Sequence, residues 1–330
     1  MSSDPFVEAA ESLPSQLQRA LAAVDLPPAP WLREGPVVTT GVGLSGGPAR
    51  LLAARLSQLG LPARFVPLSG LHEISGGEIS LAVLFSQSLS PNARLALQLP
   101  ARRKVCFTGV NPAGSGSKAE DLRRFLGVEG RSVLVPTEER HRRLVRVQSP
   151  AVSSFLAFRW VASAFQAPSR WTCELQEVPA RCQRAFMRAG VEAQPRPDDG
   201  PLIFVTEGRP SAELHHLAFK WAEGTFAGLP PILDVLELVH GPLQTFFDDR
   251  RCVVALGLDE QAPLLGRLRD VLDADRHRLL AVSAEGAAPL DLFEFDAVLN
   301  AWLADASWTP PSPWPGQGRD EALYAWAGDH

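Results

Sequence analysis

The sequence predicts an α/β protein whose parallel strands are covered by helices on both faces. Short β-branched or apolar runs alternate with segments of helical periodicity. The alternation stops at residues 190–200 (GVEAQPRPDDG), a polar stretch rich in Pro and Gly, and then restarts. Gly- and Ser-bearing segments follow two strands of the first half, at the carboxyl ends where open α/β sheets bind ligands.

Residues 4–25 carry Val7, Ala10, Leu13, Leu17, Leu21 and Val24 at helical spacing. Pro14 divides them into two short helices or one kinked helix, and Pro27, Pro28 and Pro30 end the run. Pro36–Thr40 is a short β-branched strand. It leads into the glycine-rich residues 41–47 and a helix from Ala49 to Leu59, closed by Gly60. Further strands are expected at 63–67, 81–85 and 104–108, with helices at 92–98 and 150–168. After the boundary, strands are expected at 202–206, 252–256 and 278–283, and helices at 210–224, 262–272 and 291–302. The expected divisions are an N-terminal helical segment (1–30), two α/β halves (31–190 and 191–308) and a Pro- and Trp-rich tail (309–330).

Composition narrows the function classes. The 330 residues are 45% hydrophobic, ample for two cores, and the net charge is −5. The basic runs at 102–104 and 140–143 are too short for a nucleic-acid footprint. No run approaches the roughly 18 apolar residues of a membrane span. The amino-terminal residues lack the basic-then-apolar pattern of a secretory signal. Cys106, Cys173, Cys182 and Cys252 show neither CxxC nor metal-ligand spacing, so reduced thiols in a cytoplasmic protein are expected, with no metal and no cofactor. Cys106 and Cys252 lie in strand-like runs and read as packing residues.

Two segments carry anion-binding chemistry. Gly41-Val-Gly-Leu-Ser-Gly-Gly47 follows the first strand and opens a helix, and Ser86-Gln87-Ser88 follows the third. Glycines let backbone N–H groups approach an anion, and serine hydroxyls donate to phosphate oxygens. The first loop fits a dinucleotide GxGxxG pattern loosely, but the second strand (ARFVP) ends without the acidic residue that pattern needs. Ser86–Ser88 also fits a plain strand-to-helix turn with capping serines. In the second half, His240 precedes Gly-Pro and suits proton transfer near neutrality, and a buried Glu223 could serve as an enediol base. On spacing alone, His240 reads as an N-cap or turn histidine before Gly-Pro and Glu223 as a solvated helix residue. The adjacent His215 and His216 do not face one point of a helix, which argues against a metal site.

These residues resemble the double-SIS (sugar isomerase) family, which includes the isomerase half of glucosamine-6-phosphate synthase and related phosphosugar isomerases, deaminases and deglycases. The resemblance spans about residues 5–300. GVGLS resembles the family's first GxGxS loop, FSQS (85–88) its SQSGET phosphate loop, AFKWAE (218–223) its ALKLKE helix, and ELVHGP (237–242) its ELKHGP turn. It implies two tandem SIS domains, 31–190 and 191–308, each a parallel five-stranded Rossmann-like (flavodoxin-type) αβα sandwich. It also implies that Gly43, Ser45, Ser86, Gln87, Ser88 and Ser90 hold a sugar phosphate, with Val147 and Ser149 at the sugar. Glu223 matches the glutamate that moves a proton between C1 and C2. His240 matches the ring-opening histidine that reaches in from a partner subunit, which implies a homodimer with shared active sites.

The chain departs from the family pattern at three places. Leu89 stands where the phosphate loop has Gly, Ser69-Gly70 replaces a Ser-Glu pair, and no Lys follows Lys220 to form a Schiff base. The expected activity is therefore aldose–ketose isomerisation or a deaminase/deglycase-type reaction on a sugar phosphate through an enediol, without glutamine-dependent amination. The alternative is a non-catalytic sugar-phosphate sensor or partner subunit.

Overall fold

In a computed structural model, the described residues are 4–23, 25–74, 79–137, 139, 141, 143–165, 169–191, 193–209, 211–258, 261–305 and 308. The expected tail, 309–330, lies outside them. The described chain opens with α1 (Pro5–Glu11) and α2 (Leu13–Ala22), two short helices rather than one kinked helix, the first of the two arrangements that Pro14 allows. It divides into two compact units. Among the described residues, one takes 15–140 and 148–176, the other those up to 14, 141–147 and 177–308.

The first unit contains β1 (Val37–Gly41), α3 (Gly46–Gln58), β2 (Ala63–Phe65), β3 (Leu81–Phe85), α4 (Pro91–Arg94), β4 (Arg103–Phe107), α5 (Ser117–Leu126), β5 (Arg131–Leu134) and α6 (Ser149–Ala164). All its strand pairs are parallel, in the order β2-β1-β3-β4-β5. This is the flavodoxin-type doubly wound order. Every residue of β1 and β3 is buried, as expected for central strands covered on both faces. One face packs Val38, Ala82, Leu84 and Cys106 against Leu89, Ala93, Leu122 and Phe125.

After α7 (Ser169–Ala189), the second unit runs β6 (Leu202–Thr206), α8 (His215–Thr225), β7 (Ile232–Asp234), α9 (Val235–Val239), α10 (Pro242–Thr245), β8 (Cys252–Leu256), α11 (Pro263–Val271), β9 (Arg278–Val282) and α12 (Leu292–Ala304). Its sheet is parallel, in the order β7-β6-β8-β9. Among the described residues it has four strands, one fewer than the five expected for each half. Ile203, Val205 and Val253 pack on Leu238, Leu243 and Leu268.

Cys106 and Cys252 are packing residues, as their strand-like runs predict. Burial pushes each thiol up to about 12, which suits packing rather than reactivity. No described helix is long and apolar enough to cross a membrane.

Candidate functional site

In the first unit the strand order reverses between β1 and β3, with β2 on one side and β4 and β5 on the other. Gly41 at the end of β1 pairs with Phe85 at the end of β3, so the segments that follow leave the sheet at the same level. A Cβ on Gly41 would stand 2.4 Å from the Ser45 carbonyl oxygen and 3.0 Å from that of Phe85. Only glycine lets the chain fold back so closely. Gly43 takes φ +58 and begins the short turn Gly43–Ser45. Ser45 ends that turn at the head of α3, and its hydroxyl caps nothing.

The segment after β3 is held by its main chain and by Gln87. The Ser86 N–H donates to the Phe107 carbonyl (2.9 Å), and the Gln87 carbonyl accepts from the Gly109 N–H (2.9 Å) and the Thr108 hydroxyl (3.4 Å). The Gln87 side chain donates to the Thr137 carbonyl (3.5 Å) and accepts from the Ser149 hydroxyl. A Cβ on Gly109 would lie 2.3 Å from the Gln87 amide nitrogen, so that glycine makes room for the amide. Leu89 takes the left-handed φ of +46 and buries its side chain. Ser90 caps α4, accepting from the Ala93 N–H at 3.4 Å.

The candidate serines therefore fall into two groups. Ser90 and Ser149 are committed within the protein. The hydroxyls of Ser45, Ser86 and Ser88 are engaged by no other described residue.

Glu139 and Lys118 were not legible as site residues. The Glu139 carboxylate accepts from the N–H groups of Gln148 (3.0 Å) and Ser149 (2.7 Å). It thus occupies the amino terminus of α6, where a negative charge is favoured. Lys118, near the start of α5, donates from Nζ to the Ser88 carbonyl at 2.5 Å. Neither contact has a sequence spacing that announces it.

In the second unit, α8 presents His216 and Lys220, four residues apart, to Asp296 and Asn300 of α12, also four apart. Lys220 ion-pairs with Asp296 and donates to Asn300 (3.0 Å) and to the Val147 carbonyl (3.0 Å). Asn300 donates to the same carbonyl at 3.0 Å, and His216 hydrogen-bonds Asp296 at 2.7 Å. All four side chains are fully buried. A Cβ on Gly224 would meet Leu303 at 2.6 Å, so this glycine lets α8 lie close to α12. Val147 is buried, and its carbonyl already holds two donors.

Glu223 lies one turn beyond Lys220 and is half-buried. Burial pushes its carboxyl up to about 7, with the Arg146 charge pulling the other way. A carboxyl poised there can take and return a proton near neutral pH. His240 is exposed at the carboxyl end of α9, where its N–H donates to the carbonyls of Leu236 (3.1 Å) and Glu237 (3.3 Å). The opposite end of α9 carries a capping box of Asp234 and Glu237.

Solved structures share this architecture. The chain is similar to tagatose-6-phosphate ketose/aldose isomerase from Escherichia coli, with a TM-score of 0.68, 17% identity and 92% of each chain covered. It is similar to glucosamine-6-phosphate deaminase from Thermotoga maritima, with a TM-score of 0.67 and 15% identity over 99% of this chain and 95% of that one. It is also similar to the C-terminal domain of glucosamine-fructose-6-phosphate aminotransferase from Francisella tularensis, with a TM-score of 0.64 and 14% identity over 92% and 96%. The fold is that of the phosphosugar isomerases. No family model matches the chain, and no curated protein matches it by sequence. At these identities the likeness carries the fold, and the chemistry must be read from the side chains.

Proposed function

We propose that this chain binds a phosphorylated sugar and acts on it as an aldose–ketose isomerase or a deaminase/deglycase-type enzyme. The observation that carries the reading is the set of uncommitted hydroxyls of Ser45, Ser86 and Ser88, on adjacent strand ends at the point where the sheet order reverses. They supply donors for phosphate oxygens. Gln87 is held in place by Ser149 and Thr137 and completes the phosphate loop. Glu223 shuttles the proton between C1 and C2, through an enediol rather than a Schiff base. His240 opens the ring, and its exposure supports a role toward a second copy of the chain in a homodimer.

One observation favours the second reading, a non-catalytic sensor of a sugar phosphate. Leu89 stands at the loop position where the family has glycine, and its buried side chain ties the loop to the core. A loop anchored in this way can bind without adapting to a reacting substrate.

Titration calorimetry with fructose 6-phosphate, tagatose 6-phosphate and glucosamine 6-phosphate, against unphosphorylated fructose, tests the reading. Binding of at least one phosphate ester, absent for the free sugar and weakened by S86A, is expected. Failure of all three esters to bind would overturn the phosphosugar reading.

A further inference from the structure

We infer that Lys118 supplies the positive charge of the phosphate site, a role the serine loop alone does not fill. The inference rests on the phosphosugar reading above and adds to it the residue that selects a dianionic group.

Lys118 comes from a different strand-to-helix connection. β4 ends at Phe107, and the Gly- and Ser-rich chain that follows leads to α5, where Lys118 is the second residue. That chain is tied by hydrogen bonds within itself and to α5. Arg123 donates to the carbonyls of Pro112 and Gly114, each at 2.8 Å, and the Asn111 side chain accepts from the Ala113 N–H at 2.9 Å. Lys118 is thereby set against the serine loop, with Nζ 2.5 Å from the Ser88 carbonyl. An ammonium has three donors. Ser88 O is the one partner that Nζ has among the described residues.

The surrounding charge is unbalanced. Arg94 also reaches the serine loop, donating from Nε to the Leu89 carbonyl at 3.4 Å. Its guanidinium is paired with Asp121 at 3.0 Å, and Arg124 approaches the same carboxylate at 3.9 Å. Asp121 is thus shared between two arginines, and no described carboxylate pairs with Lys118. Burial and the Arg94 charge both lower the Lys118 ammonium's pKa, as expected for a cation lacking a counter-ion. A phosphate dianion on the Ser86–Ser88 hydroxyls would supply it. Lysine is suited to this as a compact point charge.

The arrangement also accounts for the loop's altered sequence. With Leu89 left-handed and the carbonyls of Ser88 and Leu89 turned toward cations, the segment keeps its serine hydroxyls. A charge now stands beside them, contributed by the next connection of the same sheet.

The test compares wild type, K118M, K118R and S86A by titration calorimetry with inorganic phosphate, fructose 6-phosphate and unphosphorylated fructose, at low and high salt. Lys118 is half-buried at the surface, so folding is checked by unchanged melting temperatures. K118M should weaken both phosphate-bearing probes about tenfold or more, K118R less, and the salt dependence should fall in K118M. If wild type binds the phosphate probes, S86A weakens them and K118M does not, the role of Lys118 is wrong and the phosphosugar reading stands. If wild type binds none of the probes, the reading itself fails and this inference with it.

Discussion

Lys220 and Asp296 form an ion pair from which water is fully excluded, with His216 on the second carboxylate oxygen and Asn300 beside the ammonium. Burial alone would raise the Asp296 carboxyl, but the Lys220 and His216 charges outweigh it and hold the group below its ordinary range. The pair also fastens the Val147 carbonyl, and so the short 141–147 segment that brings Arg146 toward Glu223. Breaking such a pair from one side leaves a buried charge alone, at a cost of about 3–5 kcal/mol. D296N and K220M should each lose about that much in urea melts. The double variant K220M/D296L should lose less than either single one, because apolar side chains replace both charges. The folded-state pKa of Asp296 lies below its unfolded value of 3.8, so its contribution is present above that pH and lost as pH falls through about 2.

Glu223 has the opposite sign. Its folded-state pKa, about 7, lies above the unfolded value of 4.5, so the folded state binds the proton more tightly. The stabilisation is fully present below pH 4.5 and disappears as pH rises through about 7. Wild type should therefore lose ~1–3 kcal/mol between pH 4.5 and 8 from this group, and E223Q should lack that loss. Paired denaturant melts at the two pH values measure it. An equal change in both proteins would contradict the assignment.

Leu89 adopts a conformation that costs an L-residue about 1–2 kcal/mol, and it survives because burying a leucine contributes about 1.5–3 kcal/mol. L89A keeps the strain and loses most of the burial. L89G loses the burial but removes the strain. L89G should therefore be the more stable of the two, the reverse of the usual order, in which glycine is worse than alanine by about 0.5–1 kcal/mol.

Two glycines near the candidate site should respond differently to a methyl group. In G41A the new Cβ meets backbone, the Ser45 and Phe85 carbonyls, and should destabilise by about 1–3 kcal/mol. In G109A it meets the end of the Gln87 side chain, which can swing away, so stability should change by less than about 1 kcal/mol. Moving Gln87 breaks its contacts with Ser149 and Thr137, so G109A should still weaken fructose 6-phosphate binding, measured by calorimetry.

The parts of the fold that were legible in the sequence are those with unmixed patterns. β1, β3, β6 and β8 are buried along their whole length and read as short β-branched or apolar runs. β7 is a three-residue edge strand, half-buried throughout, and leaves no such run. α5 buries Ala119, Leu122 and Phe125 at every third position, a signal obscured by the glycines and serines before it. α7 buries Leu175, Val178, Cys182, Ala185 and Ala189, also at helical spacing, but Pro179 lies inside it and suggests a break. The serine loops were legible because they follow strands directly. Lys118 and Glu139 were not, because Lys118 meets Ser88 across 30 residues and Glu139 meets Gln148 and Ser149 across 9 and 10, separations that no sequence pattern marks. Lys220 read as one member of a helix motif, and its buried partners lie some 80 residues further on.

Proton movement at the sugar is the central claim, and deuterium exchange tests it most directly. Each phosphosugar that binds is incubated with the protein in D2O and followed by proton NMR. The account predicts loss of the C1 or C2 proton signal of at least one ester with wild type, and no loss with E223Q at undiminished binding. Exchange that continues in E223Q would contradict the role of Glu223. A bound ester whose C1 and C2 protons never exchange with wild type would contradict catalysis and leave the sensor reading in its place.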